Sequence, residues 1–237
     1  MFIDRDFYIG FRDMDFNNNI KIKSMLSFLE DMGGIHSNMA GLGVYDIPTK
    51  RKSWMLINWR LEFVKKPRYA DTIKVKTWSR GMDKIFAYRD FYVYNQQEEI
   101  IAKASSKWIL VNIDDLSICK LDDEIKGEYE LEDVHVFEDD FSKLKDIGNY
   151  LNEKDILITK DMIDVNGHVH NLSYIDFASQ VVPLEAMQNA MKVEVLYKKE
   201  IRESDKVKCF YACENDVHYA ILKSQDEKIL HAVMTFQ

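Results

Sequence analysis

Two segments of the chain carry apolar residues at helical spacing. In the first, the apolar positions recur three or four residues apart: Ile22, Met25, Leu26, Leu29 and Met32. This spacing predicts an amphipathic helix over residues 22–39. A second segment of helical length predicts a helix over about residues 172–191.

Runs rich in β-branched and aromatic residues flank both helices and predict strands. One short run precedes each helix, at residues 7–11 and 156–159. Four runs follow each helix, at residues 54–59, 73–78, 86–94 and 100–111, and then at 193–197, 207–212, 219–223 and 229–236. A helix followed by a mostly antiparallel meander, twice, predicts an α+β fold with a long helix packed on a sheet in each half.

The two halves also resemble each other residue by residue. Asp15-Phe16-Asn17-Asn18-Asn19-Ile20 has a counterpart in Asp164-Val165-Asn166-Gly167-His168-Val169, directly before each predicted helix. Asp71-Thr72-Ile73-Lys74-Val75 likewise has a counterpart in Asp205-Lys206-Val207-Lys208-Cys209. Because such matches occur in the same order in both halves, the sequence predicts a duplicated domain.

Composition excludes several classes of protein. The 237 residues are 46% hydrophobic and 30% charged, which is ordinary for a globular chain and leaves no stretch resembling a membrane span. The first residues carry charges where a secretory signal needs an apolar run. Three irregularly spaced cysteines predict neither a disulfide framework nor a zinc site, so we expect a reducing cytoplasm.

Most of the net charge of −8 lies in one segment. Residues 113–150 hold 13 Asp or Glu against 4 Lys or Arg, so we expect a solvated acidic connection between two domains, residues 1–112 and 151–237. Overall acidity argues against a nucleic-acid partner, because phosphate binding needs a concentrated basic surface.

The loop before the second helix carries candidate chemistry. Asp-x-Asn-Gly is most often a turn, since Asp and Asn bond their own backbone and Gly allows positive φ. His168 adds a group that moves protons near neutral pH, and the Asn166 amide can position water or donate to a carbonyl. Gly167 allows close approach of a ligand to the backbone, and backbone N–H groups at the following helix start could stabilise an oxyanion.

Asp164-x-Asn166-Gly167-His168-Val169-His170-Asn171-x-x-Tyr174 resembles the Asp-x-Asn-x-His-Val-Asn-Asn-x-x-Tyr signature of hot-dog thioesterases. In the first half, Trp78-Ser79-Arg80-Gly81 and Phe86-Ala87-Tyr88-Arg89-Asp90-Phe91 resemble acyl-ACP thioesterases of plants and bacteria. The resemblance implies two tandem hot-dog domains, with chemistry in the second.

The resemblance also assigns residues. It implies a catalytic set of Asp164, Asn166, His168 and, through Tyr197-Lys198-Lys199-Glu200, Glu200. Ile201 stands where plant members carry a cysteine, which excludes a thiol nucleophile there. Whether Glu200 or His168 is the immediate base stays open. Six further residues are candidates for substrate binding: Gly167, Asn171, Tyr174, Trp54, Arg80 and Arg89.

The first half lacks both titrating groups. Asn19 stands at the position of His168, and either Lys66 or Arg68 stands at that of Glu200. We therefore expect one active site per chain, with the first half supplying much of the acyl pocket.

The implied reaction is hydrolysis of fatty acyl-ACP to free fatty acid and holo-ACP. The acidic carrier would dock on Lys198, Lys199 and Arg202, or on Arg80, Lys84 and Arg89. Acyl-CoA hydrolysis with the same residues and a non-catalytic acyl-binding module are the alternatives. The chemistry requires no metal or organic cofactor. Because the two halves can pair with each other, a monomer suffices, and a homodimer stays open.

Overall fold

The computed structural model describes residues 1–237, which form two compact units, Met1–Asp140 and Phe141–Gln237. The boundary between the units falls inside the acidic segment 113–150. Residues 113–140 thus belong to the first unit and residues 141–150 to the second.

The first unit is a five-stranded antiparallel sheet with one long helix. Its elements are β1 (Ile3–Tyr8), α1 (Ile22–Met39), a single helical turn α2 (Ile47–Lys50), β2 (Lys52–Phe63), β3 (Thr72–Met82), β4 (Phe86–Tyr94), β5 (Ile100–Asn112) and α3 (Asp123–Tyr129). The strand order is β1-β3-β4-β5-β2. The predicted bounds of α1 are confirmed. As its apolar period predicts, the face that includes Met25, Leu26 and Leu29 is fully buried.

The second unit repeats the antiparallel sheet with shorter helices. Its elements are β6 (Asn152–Ile156), α4 (Ser173–Ala178), α5 (Leu184–Asn189), β7 (Lys192–Tyr197), β8 (Val207–Glu214), β9 (Val217–Ser224) and β10 (Leu230–Phe236). The strand order is β7-β10-β9-β8-β6. The core includes Phe177 on α4 and Phe210 and Phe236 on the sheet, all almost fully buried.

The single helix predicted over residues 172–191 is wrong. The chain leaves helical geometry after Ala178 and re-enters it at Leu184, with Pro183 directly before α5. Proline has no N–H to donate to an earlier carbonyl and disfavours helical geometry at the residue before it, here Val182. The apolar spacing on both sides of Pro183 therefore belongs to two short helices.

The two leading strands also differ from their predicted bounds. Strand β1 begins and ends earlier than residues 7–11, and β6 begins and ends earlier than residues 156–159. After β1, the backbone N–H of Gly10 donates to Asp13 Oδ2 at 2.9 Å and a 3₁₀ turn, Phe11–Asp13, follows. A 3₁₀ turn at Lys160–Met162 follows β6 in the same way.

The acidic segment is less solvated than its composition predicts. In the first unit, Leu121, Ile125 and Tyr129 are buried against Leu42 and Leu110. In the second unit, Leu144, Ile147 and Tyr150 pack on a buried cluster formed by Phe210, Ala212, Ile221 and Val233. The sequence did not predict this burial, because the apolar residues of the segment follow no regular period and lie among many carboxylates.

Residues 131–139, here called the strap, lie along the sheet of the first unit. Trp78 Nε1 donates to the carbonyl of Val134 at 2.8 Å, and the backbone N–H of Val136 donates to Asp90 Oδ2 at 2.8 Å. The Arg60 guanidinium lies 3.9 Å from the centre of the Phe137 ring. The family-like stretches around Trp78 and Asp90 thus have a structural role within this unit.

None of the helices combines the length and the apolar character that crossing a bilayer requires. The structure also brings together no group of three or more His, Cys, Asp or Glu side chains able to hold a metal ion.

Candidate active site

The Asp164 carboxylate holds the loop that precedes α4. Its Oδ1 accepts hydrogen bonds from the backbone N–H groups of Asn166, at 2.8 Å, and of His168, at 3.1 Å. The backbone N–H of Asp164 donates to the carbonyl of His168 at 2.8 Å. Asp164 therefore fixes the loop's shape and so positions the side chains of Asn166 and His168.

The next residues present their side chains from this fixed loop. Gly167 has φ of +77°, a left-handed conformation that glycine adopts without strain. Asn166 is exposed, and its Nδ2 lies 3.4 Å from Asp164 Oδ2, at the long end of hydrogen bonding. His168 is half-buried. The Asn166 amide is thus free to donate to an incoming carbonyl oxygen.

Glu200 follows β7 and lies against this loop. The backbone N–H of Val169 donates to the carbonyl of Ile201 at 2.7 Å, which joins the two segments. Glu200 Oε1 lies 3.3 Å from Lys199 Nζ and 3.9 Å from Arg202 Nη2, and its side chain is 18% exposed. The sequence did not predict that these two cations would contact the carboxylate.

The surroundings of Glu200 keep it ionised near neutral pH. Burial raises the pKa of this carboxyl group. The hydrogen bond from its own backbone N–H, the Lys199 ammonium and the positive charge that His168 carries when protonated outweigh burial and lower that pKa below its usual range. The hydrogen bond between Val169 and Ile201, the residues that follow His168 and Glu200, brings these two predicted site residues into one neighbourhood.

Asn171 and Tyr174 support the frame of the site. Tyr197 donates its hydroxyl proton to the carbonyl of Asn171 at 3.2 Å, and the rings of Tyr174 and Tyr197 meet edge to face at 5.2 Å. Tyr174 is buried and its hydroxyl hydrogen-bonds the backbone of Ile201. Burial is the main cause that raises the pKa of Tyr174, so it stays a neutral phenol.

The expected oxyanion donors at the start of α4 are not free. The N–H of Leu172 donates to His170 Nδ1 at 3.3 Å, and those of Ser173, Tyr174 and Ile175 donate to backbone carbonyls within the turn. The turn uses these four N–H groups to close itself, so they do not serve an oxyanion, and stabilisation by the remaining N–H groups at the helix start stays a prediction. The Asn166 amide is then the best-placed donor.

Three predicted substrate-binding residues, Trp54, Arg80 and Arg89, lie in the first unit, and each side chain contacts a polar group of the same unit. Trp54 Nε1 donates to the hydroxyl oxygen of Tyr129 at 2.8 Å. Arg80 Nε lies 3.2 Å from Asp90 Oδ1, and Arg89 Nη1 donates to His36 Nδ1 at 2.7 Å.

Arg89 is buried, and burial lowers the pKa of its guanidinium to about 10. Since it does not reach the surface, it cannot receive a carrier protein. The prediction that Arg89 belongs to the second docking patch, with Arg80 and Lys84, was therefore wrong.

The first unit keeps the same loop with different side chains. Asp15 Oδ1 accepts from the backbone N–H groups of Asn17, at 2.8 Å, and of Asn19, at 2.9 Å, and Asn18 has φ of +58° where the second unit has Gly167. The N–H of Ile20 donates to the carbonyl of Pro67 at 2.9 Å, as Val169 does to Ile201.

This register decides between Lys66 and Arg68. Because Pro67 matches Ile201, Lys66 occupies the position of Glu200. Lys66 is buried, which lowers the pKa of its ammonium group, while the Asp15 carboxylate opposes that shift. The first unit thus carries a buried cation and the amide of Asn19 in place of the carboxylate and the imidazole.

Both halves of the chain match known domains. Residues 2–129 match the acyl-ACP thioesterase N-terminal domain, and residues 151–237 match the acyl-ACP thioesterase C-terminal domain. The chain belongs to the acyl-ACP thioesterase family.

Relatives within the acyl-ACP thioesterase family are distant. The chloroplastic oleoyl-acyl carrier protein thioesterase of Coriandrum sativum is 23% identical over 92% of this chain and 64% of its own length. The chloroplastic palmitoyl-acyl carrier protein thioesterase of Cuphea hookeriana is 26% identical over 84% of this chain and 52% of its own length. The chain therefore spans between half and two thirds of these relatives.

Solved structures confirm the predicted fold of two tandem hot-dog domains. The 12:0-ACP thioesterase of Umbellularia californica has a TM-score of 0.89 at 17% identity, covering 100% of this chain and 96% of that one. An acyl-ACP thioesterase of Bacteroides thetaiotaomicron has a TM-score of 0.88 at 20% identity, covering 99% and 96%. At these identities the likeness concerns the fold.

Proposed function

We propose that this protein hydrolyses the thioester of fatty acyl-ACP, releasing a free fatty acid and holo-ACP. The observation that carries the proposal is an ionised Glu200 electrostatically coupled to His168 beside an Asp164-fixed loop, in a chain matching both domains of the acyl-ACP thioesterase family.

In the proposed reaction His168 activates water. A carboxylate whose pKa is lowered is a weak base, whereas imidazole exchanges protons near neutral pH, so we assign the base to His168 and stabilisation of its protonated form to Glu200. As the water oxygen bonds to the thioester carbon, His168 takes the proton and the Asn166 amide donates to the developing oxyanion. The C–S bond then breaks, and His168 returns the proton to the thiolate of the carrier's prosthetic group.

The remaining parts of the site hold these groups in place. The Asp164 carboxylate keeps the backbone of Asn166 and His168 fixed, and the Tyr174 hydroxyl binds the backbone beside Glu200. The mechanism needs no metal or organic cofactor, since water, one base and hydrogen-bond donors complete the chemistry.

The acidic carrier is proposed to dock on the second unit. Lys198, Lys199 and Arg202 are exposed next to Glu200, so the patch that would attract the carrier adjoins the groups that act on its thioester. Contacts between exposed charges are screened over about 10 Å at 0.1 M salt, so binding by this patch weakens with salt. The predicted cytoplasmic location and the homodimer stay predictions.

The test is release of free thiol from matched acyl-ACP and acyl-CoA substrates of several chain lengths. We expect wild-type turnover on acyl-ACP and a loss of roughly 10²–10⁴-fold in His168→Ala, the usual contribution of a general base. Asn19→Ala, the same position in the loop of the first unit, is the matched control and retains activity.

Turnover confined to acyl-CoA would support the proposed thioester hydrolysis but would show that the acyl group is carried by coenzyme A and not by ACP. Equal loss in Asn19→Ala and His168→Ala would contradict one active site per chain. Tight acyl binding without turnover on either carrier would make the protein an acyl-binding module and reject the proposed hydrolysis.

A further inference from the structure

Five large apolar side chains in two neighbouring segments of the first unit are exposed. Phe11 is 85% exposed and Phe16 is 92% exposed, and Tyr8, Val64 and Tyr69 are each more than half exposed. We call these five residues the aromatic face. A surface that exposes several large apolar side chains together marks a binding site more often than scattered single residues do.

Backbone hydrogen bonds bring the aromatic face together from two segments. The N–H of Ala70 donates to the carbonyl of Ile9 at 3.0 Å, and the N–H of Ile20 donates to that of Pro67 at 2.9 Å. The Phe11 and Tyr69 rings lie edge to face, with centres 6.5 Å apart. Residues 8–21 and 64–71 therefore form one continuous surface.

Basic side chains surround the aromatic face in a chain whose net charge is −8. Its two segments hold five Lys or Arg against three Asp, and Arg12, Lys21, Lys65 and Arg68 are exposed. The three Asp side chains turn towards the backbone: Asp13 accepts from Gly10, Asp15 from Asn17 and Asn19, and Asp71 from Arg68. The two segments thus carry a small positive formal charge, and four of their cations are exposed.

The matching positions of the second unit show whether the fold requires these aromatic side chains. The matching 3₁₀ turns place Lys160 at the position of Phe11, and the matching loops place Val165 at that of Phe16. Glu203 follows Arg202 as Tyr69 follows Arg68, with Asp205 and Asp71 in the same role. The aromatic rings are therefore particular to the first unit and are not required by the fold.

We propose that the aromatic face binds the surface of an anionic lipid bilayer. Aromatic rings at the water–lipid boundary with Lys and Arg beside them are the combination that such surfaces attract. Phe11 and Phe16 stand on separate loops and are almost wholly exposed, so a deformable headgroup layer accommodates both, whereas a folded partner would need a recess for each ring.

The test is co-sedimentation of the full chain with lipid vesicles. We expect binding to vesicles of phosphatidylcholine mixed with phosphatidylglycerol, and weaker binding to phosphatidylcholine alone. Phe11→Ser with Phe16→Ser lowers the affinity about tenfold or more, because each ring loses its apolar burial. Lys65→Ser with Arg68→Ser removes the preference for the anionic vesicles. Val165→Ser, the loop-tip substitution in the second unit, is the matched control and binds like wild type.

Three results would overturn the proposal. The first is failure of the wild-type chain to sediment with anionic vesicles, and the second is equal binding by the phenylalanine variant with an unchanged thermal unfolding curve. The third is loss, in that variant, of a dimer or of carrier protein binding, which would make the aromatic face a protein interface. Vesicle binding needs no turnover, so it can fail or succeed independently of the proposed hydrolysis.

Discussion

At Glu200, two positively charged side chains and the imidazole of His168 lie around a single carboxylate. Lys199 and Arg202 contact it, and the hydrogen bond from its own backbone N–H, the Lys199 ammonium and the charge that His168 carries when protonated lower the pKa of Glu200 despite burial. In the first unit the same place holds Lys66, a cation beside the Asp15 carboxylate. Two side-chain differences in an otherwise matching backbone, Asn19 for His168 and Lys66 for Glu200, thus distinguish the first unit from the unit proposed to move a proton.

Replacement of Glu200 by its neutral isostere tests this charge. In Glu200→Gln the protonated form of His168 loses its counter-charge, and we expect kcat to fall roughly 100-fold, at the lower end of acid–base contributions, with KM little changed. Initial rates on acyl-ACP measure the effect. Glu203→Gln, an exposed neighbour on the same turn, is the control. A KM effect without a kcat effect would place Glu200 in carrier binding instead.

The environment of His36 makes the stability of the folded protein depend on pH. His36 is a buried residue of α1 and accepts a hydrogen bond from Arg89, and burial together with the Arg89 charge lowers its pKa from 6.5 to about 3. Unfolded chains take up a proton there below pH 6.5, whereas the folded protein does not until about pH 3. Stability therefore falls as pH drops through this window, by at most about 1.4 kcal/mol per pH unit from this residue.

His36→Gln removes that dependence, so its stability should change less than wild type between about pH 7 and about pH 5. Urea unfolding followed by tryptophan fluorescence measures it, because all four tryptophans (Trp54, Trp59, Trp78 and Trp108) lie in the first unit. Identical pH slopes in the variant and the wild type would mean that His36 is not the group responsible.

At the scale of elements, what the sequence predicts depends on whether the signal is local. The bounds of α1 follow from its own apolar period, whereas α4 and α5 are separate because Pro183 interrupts a similar pattern. The choice of Lys66 over Arg68 required the hydrogen bond between Ile20 and Pro67, which joins distant segments. Glu200 could be assigned to the site only through the family resemblance, since no local pattern connects it to His168.

The strap is the element whose attachment can be tested most directly. Buried Asp90 accepts from Ser105 Oγ at 2.6 Å and from the Val136 N–H at 2.8 Å, and it lies 3.2 Å from Arg80 Nε. Asp90→Asn removes the charge that Arg80 faces, and we expect a loss of about 2–4 kcal/mol in the free energy of unfolding.

The Asp90→Asn substitution should also speed protease cleavage within residues 131–139, because the strap loses an anchor. Asp139→Asn provides the control within the strap, since the Asp139 side chain is 72% exposed and its ion pair with Arg60 contributes little. Equal cleavage rates in the Asp90 variant and the wild type would show that other contacts, such as Trp78 with Val134, are enough to hold the strap.

At the scale of the whole molecule, charge is distributed unevenly over an acidic chain. The net charge is −8, so the proposed acidic carrier would be repelled on average and would need a local basic patch for docking. Of the two patches that the sequence predicted, the one in the first unit is reduced because Arg89 is buried, whereas Lys198, Lys199 and Arg202 are all exposed. The exposed cations beside Glu200 are then the better dock.

Charge reversal at Lys198 separates docking from chemistry. Lys198 is exposed and follows β7, whereas the ion pairs of Glu200 are with Lys199 and Arg202. We expect Lys198→Glu to lower kcat/KM for acyl-ACP several-fold at low salt, with the deficit shrinking as salt screens the contact. Hydrolysis of an acyl-pantetheine substrate without a protein carrier should be unchanged. Lys84→Glu, in the predicted patch of the first unit, is the matched control. A larger effect of Lys84→Glu than of Lys198→Glu would mean that the carrier docks on the first unit.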